Sequence, residues 1–309
     1  MKMIFAGKAP KNTRKRKISF HLVYGSSAKN RQMHSRTGNF FYLLLLIALG
    51  LFSMLPFFYS VLSSFKPLNE LLVFPPKFWV YNPTVSNYLD LPVLLSALRV
   101  PLSKYIFNSF FISIISTALY ILLATMAAFV LAKSNMKGMN IIFMLIQYAL
   151  LFNSFTLAVP QYLIVAKSGI IDTYWAYILP ALASTMGVFL MKQYMEGSIP
   201  NVLLEAAEID GAGPFRTFCQ IVVPMVKPCI MTMILFYFSS SWSAVPGDTI
   251  FSETIKTLPS IMSQITSGGI ARQGNAMAVS VIMMIPPLVV YFISQSNVLE
   301  SMNSAGIKE

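Results

Sequence analysis

Six stretches of this chain contain no Asp, Glu, Lys or Arg: residues 37–65, 105–132, 138–166, 173–191, 228–247 and 273–299. Each is near or above the roughly 20 residues that carry an α-helix across the hydrocarbon core of a bilayer. With 56% hydrophobic and only 11% charged residues over 309 positions, the chain is too apolar for an ordinary soluble domain. A seventh uncharged window, 257–271, is shorter and rich in Ser, Thr and Gly, and reads as a loop. The expected fold class is an all-α membrane protein with six transmembrane helices.

The basic residues set its orientation. Residues 1–36 hold ten Lys or Arg and no acid, and supply most of the +12 net charge. By the positive-inside rule this tail is expected in the cytoplasm. An even number of spans returns the C-terminus to the same side. The expected division is a basic cytoplasmic tail (1–38), a six-span membrane domain (39–299) and a short cytoplasmic C-terminal tail (300–309), in a multi-pass membrane protein. The cluster at 11–17 also has the composition of a nucleic-acid patch or a transit peptide. Juxtamembrane contact with anionic lipid headgroups is the preferred reading, and no nucleic acid is expected as a partner. Cys219 and Cys229, the only cysteines, flank the inner end of the fifth window and read as a free, small, buried pair.

Between the first two windows, residues 66–104 carry Pro67, Pro75, Pro76, Pro83, Pro92 and Pro101. That density argues against a continuous helix and for an irregular cap on the outer face. Proline also falls inside windows at Pro56, Pro160, Pro180 and Pro286-Pro287, where neighbouring helices can cover the freed carbonyls. No internal repeat marks the inverted halves of a secondary transporter. No residues suggest a catalytic nucleophile and base, none have metal-ligand spacing, and no Gly-x-x-x-x-Gly-Lys-Ser/Thr loop is present to cradle phosphates.

The polar island between the fourth and fifth windows has its own local logic. Pro200 sits where a helix starts without needing its N–H. Gly211 can take the left-handed conformation that ends one. The ten residues from Asn201 to Asp210 make about 15 Å of helix. Ala206 and Ala207 keep its surface narrow, while Glu205 and Glu208 project as anions three residues apart. Beyond the glycine, Phe215, Phe218 and Ile221 or Val222 recur at helical spacing, and Pro224 opens the turn into the fifth window. An interfacial helix with no partner would satisfy the same pattern.

The full spacing of this island, Glu205-Ala206-Ala207, then Gly211, then Ile221-Val222-Val223-Pro224, resembles the "EAA" signature of ABC importer membrane subunits. Val223 stands where that signature usually has Leu. Ser64-Phe65-Lys66-Pro67, Glu70, Pro75-Pro76, Trp79, Asn87-Tyr88, Asn108-Ser109 and the stretch 127–138 are also similar to the carbohydrate branch, so the resemblance runs from about Phe40 to the C-terminus. It implies a maltose-type (type I) permease whose segment 199–224 contains a coupling helix seated in an ATPase. Glu205, Ala206, Ala207, Glu208, Asp210, Gly211, Ile221 and Pro224 are then the ATPase-coupling residues. The implied partners are a homologous second permease, two ABC ATPase subunits, an extracytoplasmic solute-binding protein and membrane lipid. ATP and Mg²⁺ would be bound by the ATPase, with no cofactor held by this chain.

The windows lack the ionisable residues that relay protons or ions in coupled carriers, which favours a neutral, hydroxyl-rich cargo and external energy. Candidate pathway residues near the window centres are Asn108, Gln147, Tyr148, Asn153, Ser240 and Trp242. Hydrogen bonding between helices is the competing role for each. Trp242 is followed by Ser243-Ala244, where the family usually has Asn and an acid. The outer loop 248–272 corresponds to one that reaches the binding protein in maltose-type importers. The function so implied is import of oligosaccharides or related glycans. The alternatives are the same architecture carrying a polyamine, phosphate or glycerophosphodiester, or a secondary carrier.

Overall fold

The computed structural model describes residues 36–306, apart from 97, 135, 153 and 246. Its regular structure is entirely helical among those residues. The chain divides into two compact units, with the boundary in sequence between Ser53 and Met54. In the first, described from residue 36, the chain is plain apolar helix with every side chain from Gly38 to Ser53 exposed. That helix, α1 (Arg36–Ser64), runs on into the second unit.

In the second unit α1 ends in buried Ser63 and Ser64 and gives way to the Pro-rich cap. The cap holds two short helices, α2 (Leu68–Leu71) and α3 (Ser86–Ser96), joined by irregular chain. Side chains fix that irregular chain. The Glu70 carboxylate accepts from Tyr81 N (3.1 Å), Asn82 N (2.7 Å) and Asn82 Nδ2 (3.0 Å). The ammonium of Lys66, 2% exposed, donates to Lys77 O. Asn87 Nδ2 ties α3 back to the end of α1 through Ser64 O and Lys66 O, each at 2.8 Å. Burial alone would raise the Glu70 carboxyl, but the Tyr81 and Asn82 donors, helped by Lys66, hold it below its ordinary value.

Helix α4 (Leu102–Lys133) is the central member of this unit. It is followed by α5 (Met139–Ala149), α6 (Ser154–Lys167), α7 (Trp175–Leu182), α8 (Thr185–Ser198) and α9 (Asn201–Ile209). Next come α10 (Pro214–Thr217), a π turn (Phe218–Val222), α11 (Val223–Met225), α12 (Lys227–Trp242), α13 (Leu258–Ser267) and α14 (Gln273–Gly306). Side chains of α4 enter three buried clusters: Tyr105 the outer one with Leu258, Ile261 and Trp242, Ile112 a small one with Val165 and Ile250, and Tyr120, Ala124 and Ala128 the inner one with Met191, Phe218 and Val226.

All six uncharged windows contain helix, but not six single rods. Among the described residues three helices, α1, α4 and α14, are individually long and apolar enough to span, or up to five if each bent pair forms one span. One pair is α7 with α8, bent by 40°, and the other is Pro214–Met225 with α12, bent by 78°. Pro180 lies inside α7, two residues before its end, so the N–H it lacks belongs to the preceding turn and not to the break at Ala183–Ser184. The third window is divided between α5 and α6, with Pro160 inside α6 rather than at the interruption. Pro286 and Pro287 leave α14 a single helix.

One sequence expectation is overturned. The window 257–271 contains a helix, α13, rather than a loop alone. Its polar content misled because only one face is apolar: Leu258, Ile261 and Ile265 recur at helical spacing and are buried. The cysteines also differ from expectation, since Cys229 is buried but Cys219 is exposed.

Candidate coupling segment and transport cleft

Segment 199–224 begins where α8 stops. Ile199 is extended, and Pro200 (φ −66°, ψ 137°) leads into α9 without having to donate a hydrogen bond. The far end of α9 is a Schellman stop: Gly211 N donates to Glu208 O (3.0 Å) and Ala212 N to Ala207 O (2.9 Å). Gly211 makes this possible at φ +75°. A Cβ there would meet nothing within 4 Å, so the glycine serves conformation and not space.

The expected coupling residues separate by face. Glu205, Ala206, Glu208, Asp210 and Gly211 are exposed, whereas Ala207 is 6% exposed and turned into the protein. The outward face also shows Val202, Ile209 and Phe215, at 74%, 87% and 72% exposure. Val202 and Ile209, seven residues apart, fall on the same face of α9. Farther on, the π turn places Phe218 and Val222 in the inner cluster, leaves Ile221 half-buried and is followed by exposed Pro224. Lys133, the last residue of α4, grips the joint between α8 and α9. Its ammonium donates to Ile199 O (2.7 Å) and to Asn201 Oδ1 (2.9 Å).

A cleft of about 630 Å³ opens among α4, α6, α7, α8 and α12. Its polar lining includes Ser109, Ser113, Tyr120, Gln161, Ser184, Thr185, Tyr237, Ser240 and Ser241, with Trp242 and Phe152 among the aromatic groups, and no lining residue is charged. Tyr120 and Tyr237 stack face to face, 3.9 Å between ring centroids and 9° from parallel. The Tyr120 hydroxyl donates to Ser184 O (3.0 Å) and accepts from Gly187 N (2.9 Å), covering backbone groups at the α7–α8 break. The Tyr237 hydroxyl is buried without a hydrogen-bond partner.

Two of the six expected pathway residues, Ser240 and Trp242, line this cleft. Trp242 is 2% exposed and its indole N–H is used on Met283 O at 2.9 Å. Gln147 and Tyr148 are exposed on α5 and do not line it, and Asn153 lies outside the described residues. Asn108 is fully buried and its amide is spent: Nδ2 donates to Thr254 O and Lys256 O, both at 2.9 Å, and Oδ1 accepts from Tyr174 (2.9 Å). Sequence reading missed Ser109, Ser113, Tyr120, Gln161 and Tyr237. The signal was present on α4, where Ser109, Ser113, Ser116, Thr117 and Tyr120 recur every one to four residues as one buried polar stripe.

Thr257, at the end of the loop that leads into α13, helps to line the cleft. Asp172, in the left-handed region at φ 57°, accepts at Oδ1 from Phe251 N (3.0 Å) and Ser252 N (2.8 Å), and at Oδ2 from the Ser252 hydroxyl. Ser252's hydroxyl and N–H, followed by Phe251 and the Lys256 charge, hold the Asp172 carboxyl below its ordinary value against its partial desolvation. Glu253 meets Tyr105, Lys256 and Gln264. Among the described residues, no group of three or more His, Cys, Asp or Glu is placed to hold a metal ion.

Known proteins are similar to this chain in sequence and in fold. The chain is 26% identical to the inner membrane ABC transporter permease protein YcjP of Escherichia coli over 285 residues, covering 91% of this chain and 99% of that protein. It is 27% identical to the arabinooligosaccharides transport system permease protein AraQ of Bacillus subtilis over 267 residues, covering 86% and 94%. A chain in the crystal structure of a bacterial ABC transporter that imports the acidic polysaccharide alginate has the same fold. Its TM-score is 0.69 at 21% identity, covering 85% of this chain and 98% of that one. Residues 107–303 match the sequence profile described as "Binding-protein-dependent transport system inner membrane component". That span runs from α4 through the cleft and the α9 segment into α14, and on this match the chain belongs to the family of binding-protein-dependent transport system inner membrane components, the permease subunits of ABC transporters.

Proposed function

We propose that this chain is a permease subunit of an importer for oligosaccharides or related glycans, and that segment 199–224 couples it to an ATPase. The observation carrying the cargo reading is the uncharged cleft, rich in hydroxyl, amide and aromatic groups. Sugar rings offer hydroxyls to such groups and C–H faces to aromatic rings. A polyamine or a phosphate would find no countercharge there. The name of the Bacillus relative, an arabinooligosaccharide permease, supports the same class.

In this reading the membrane domain has six spans, with α5 and α6 forming the third, and both termini lie in the cytoplasm. A homologous permease shares the pathway, two ATPase subunits bind ATP and Mg²⁺, and an extracytoplasmic binding protein delivers cargo. The exposed face of α9, with Glu205, Ala206, Glu208, Ile209 and Gly211, enters the ATPase. Ala207 holds that helix against its own chain. When ATP draws the two ATPases together, α9 moves and the pathway changes side.

Reconstitution of the four components in liposomes tests the reading. ATP-dependent uptake of labelled arabino-oligosaccharides is expected, with none of spermidine or phosphate. Tyr237→Phe or Gln161→Ala is expected to lower sugar uptake while leaving the ATPase bound. Transport of spermidine or phosphate with sugars ignored overturns the cargo reading. Glu205→Lys with wild-type uptake and wild-type ATPase recovery overturns the coupling reading.

A further inference from the structure

Of the three long apolar helices, α4 alone contains neither proline nor glycine: α1 has Pro56 and two glycines, and α14 has Pro286, Pro287 and Gly274. It is also hydrogen-bonded at both ends to segments that are not membrane helices. At the outer end Asn108 holds Thr254 O and Lys256 O, and Ser109 Oγ accepts from Leu258 N at 2.8 Å. At the inner end Lys133 holds Ile199 O and Asn201 Oδ1, one residue to either side of Pro200. Along the helix axis Asn108 and Lys133 are about 38 Å apart, at 1.5 Å of rise per residue.

These two attachments are stiff for different reasons. Asn108 is 0% exposed with all its amide hydrogen-bonding groups engaged, so the outer loop cannot slide past α4 without leaving buried polar groups unpaired. Lys133 places an ammonium at the carboxyl end of α8, where the helix dipole favours a cation. An unbroken helix packed in the buried clusters along its length transmits displacement from one end to the other, provided each end is fixed to what moves.

We propose that α4 is a strut linking the outer loop 249–258 to the ATPase-coupling segment, with Asn108 and Lys133 as its positioning residues. The proposal rests on the coupling reading of segment 199–224. It gives the two faces of the permease a direct mechanical connection within one chain, so closure of the ATPases tightens or loosens the loop on which a binding protein would sit. The coupling is reciprocal, so a partner seated on the loop biases α9 in turn.

The test needs no knowledge of the cargo. The assembled complex in lipid nanodiscs is trapped with ATP and orthovanadate, and hydrogen exchange is read at residues 249–258. Trapping is expected to change exchange there by about tenfold or more in the unaltered protein. Lys133→Met is expected to abolish that change although the ATPase still assembles and traps nucleotide, and Lys133→Arg, which retains a cation and several donors, is expected to restore it. The double substitution Leu122→Gly with Leu123→Gly softens the middle of α4 at two exposed side chains and is expected to abolish the response as well. An outer loop that responds in Lys133→Met and in the double-glycine variant as it does in the unaltered protein overturns the strut, as does a loop indifferent to trapping in every form. Failure of the coupling reading has a different signature: Glu205→Lys would then still assemble, trap nucleotide and transport.

Discussion

Gly211 is the residue whose role is most directly dictated by backbone sterics. Its φ of +75° costs a β-branched residue about 1–2 kcal/mol, and the site is open, so Gly211→Val perturbs the backbone without a clash inside this chain. The variant is expected to insert normally, lose the Schellman stop of α9, and lose most of its uptake in the reconstituted complex, with weaker recovery of the ATPase. That role was legible because Pro200 and Gly211 are spaced as start and stop of one short helix. The inward turn of Ala207 was not, because nothing in Glu-Ala-Ala says which alanine faces its own protein. Asp172 was also missed, since its partners Phe251 and Ser252 lie about eighty positions away in the chain. Its carboxyl is held below its ordinary value of 3.8, so the clamp contributes fully at neutral pH. That contribution is lost only as the pH falls through the lowered value, in the range below 3.8. Proteolysis within 248–257 is therefore expected to be independent of pH from 8 to about 5. Asp172→Ala is expected to raise it across that range. Asp172→Asn, which keeps an oxygen for both backbone donors, is expected to have a smaller effect.

The α7–α8 pair shows how an element departs from its sequence signature. Residues 173–191 read as one span bearing Pro180, yet the helix breaks farther on, at Ala183–Ser184, and Tyr120 from α4 takes over two of the exposed backbone groups. Gly187 is what lets Tyr120 approach: a Cβ there would sit 2.2 Å from its hydroxyl oxygen. Gly187→Ala is expected to destabilise the protein by about 1–3 kcal/mol through overpacking, read as a lower Tm in detergent. Adding Tyr120→Phe is expected to recover only a small part of the loss, because the hydroxyl contact goes while those with the ring Cζ (2.8 Å) and Met233 Cε (2.5 Å) stay and the Gly187 N–H is left unpaired. Neither the break nor its repair is visible in hydropathy, which registers that a segment is apolar and not whether it is straight. The same limitation hid α13. Its Ser and Thr residues lowered the apparent apolarity of a helix that needs only one buried face.

For the whole molecule the orientation is the property most open to a decisive measurement. In a background without Cys219 and Cys229, Trp79→Cys and Phe251→Cys are expected to react with an impermeant maleimide added outside intact cells. Glu205→Cys is expected to react only after the membrane is opened. External labelling at position 205 would invert the six-span topology and remove α9 from contact with a cytosolic ATPase. Purified alone, the chain is expected to show no ATP hydrolysis above background, with activity arising only when an ATPase subunit is added.

Composition and local pattern determined most of what depends on solvent or on short spacing. The uncharged windows fixed the membrane class, the basic tail set the expected orientation, and the Pro200–Gly211 spacing outlined α9. These are properties each segment carries by itself, through transfer of side chains into lipid or through the φ preferences of single residues. Tertiary structure decided what depends on residues distant in sequence. It bent two helix pairs, tied the amide of Asn108 to the backbone of the loop before α13, and gathered Gln161, Ser184 and Tyr237 around one cleft. A buried polar group must find a partner, and which partner it finds is settled only when helices far apart in the chain pack together.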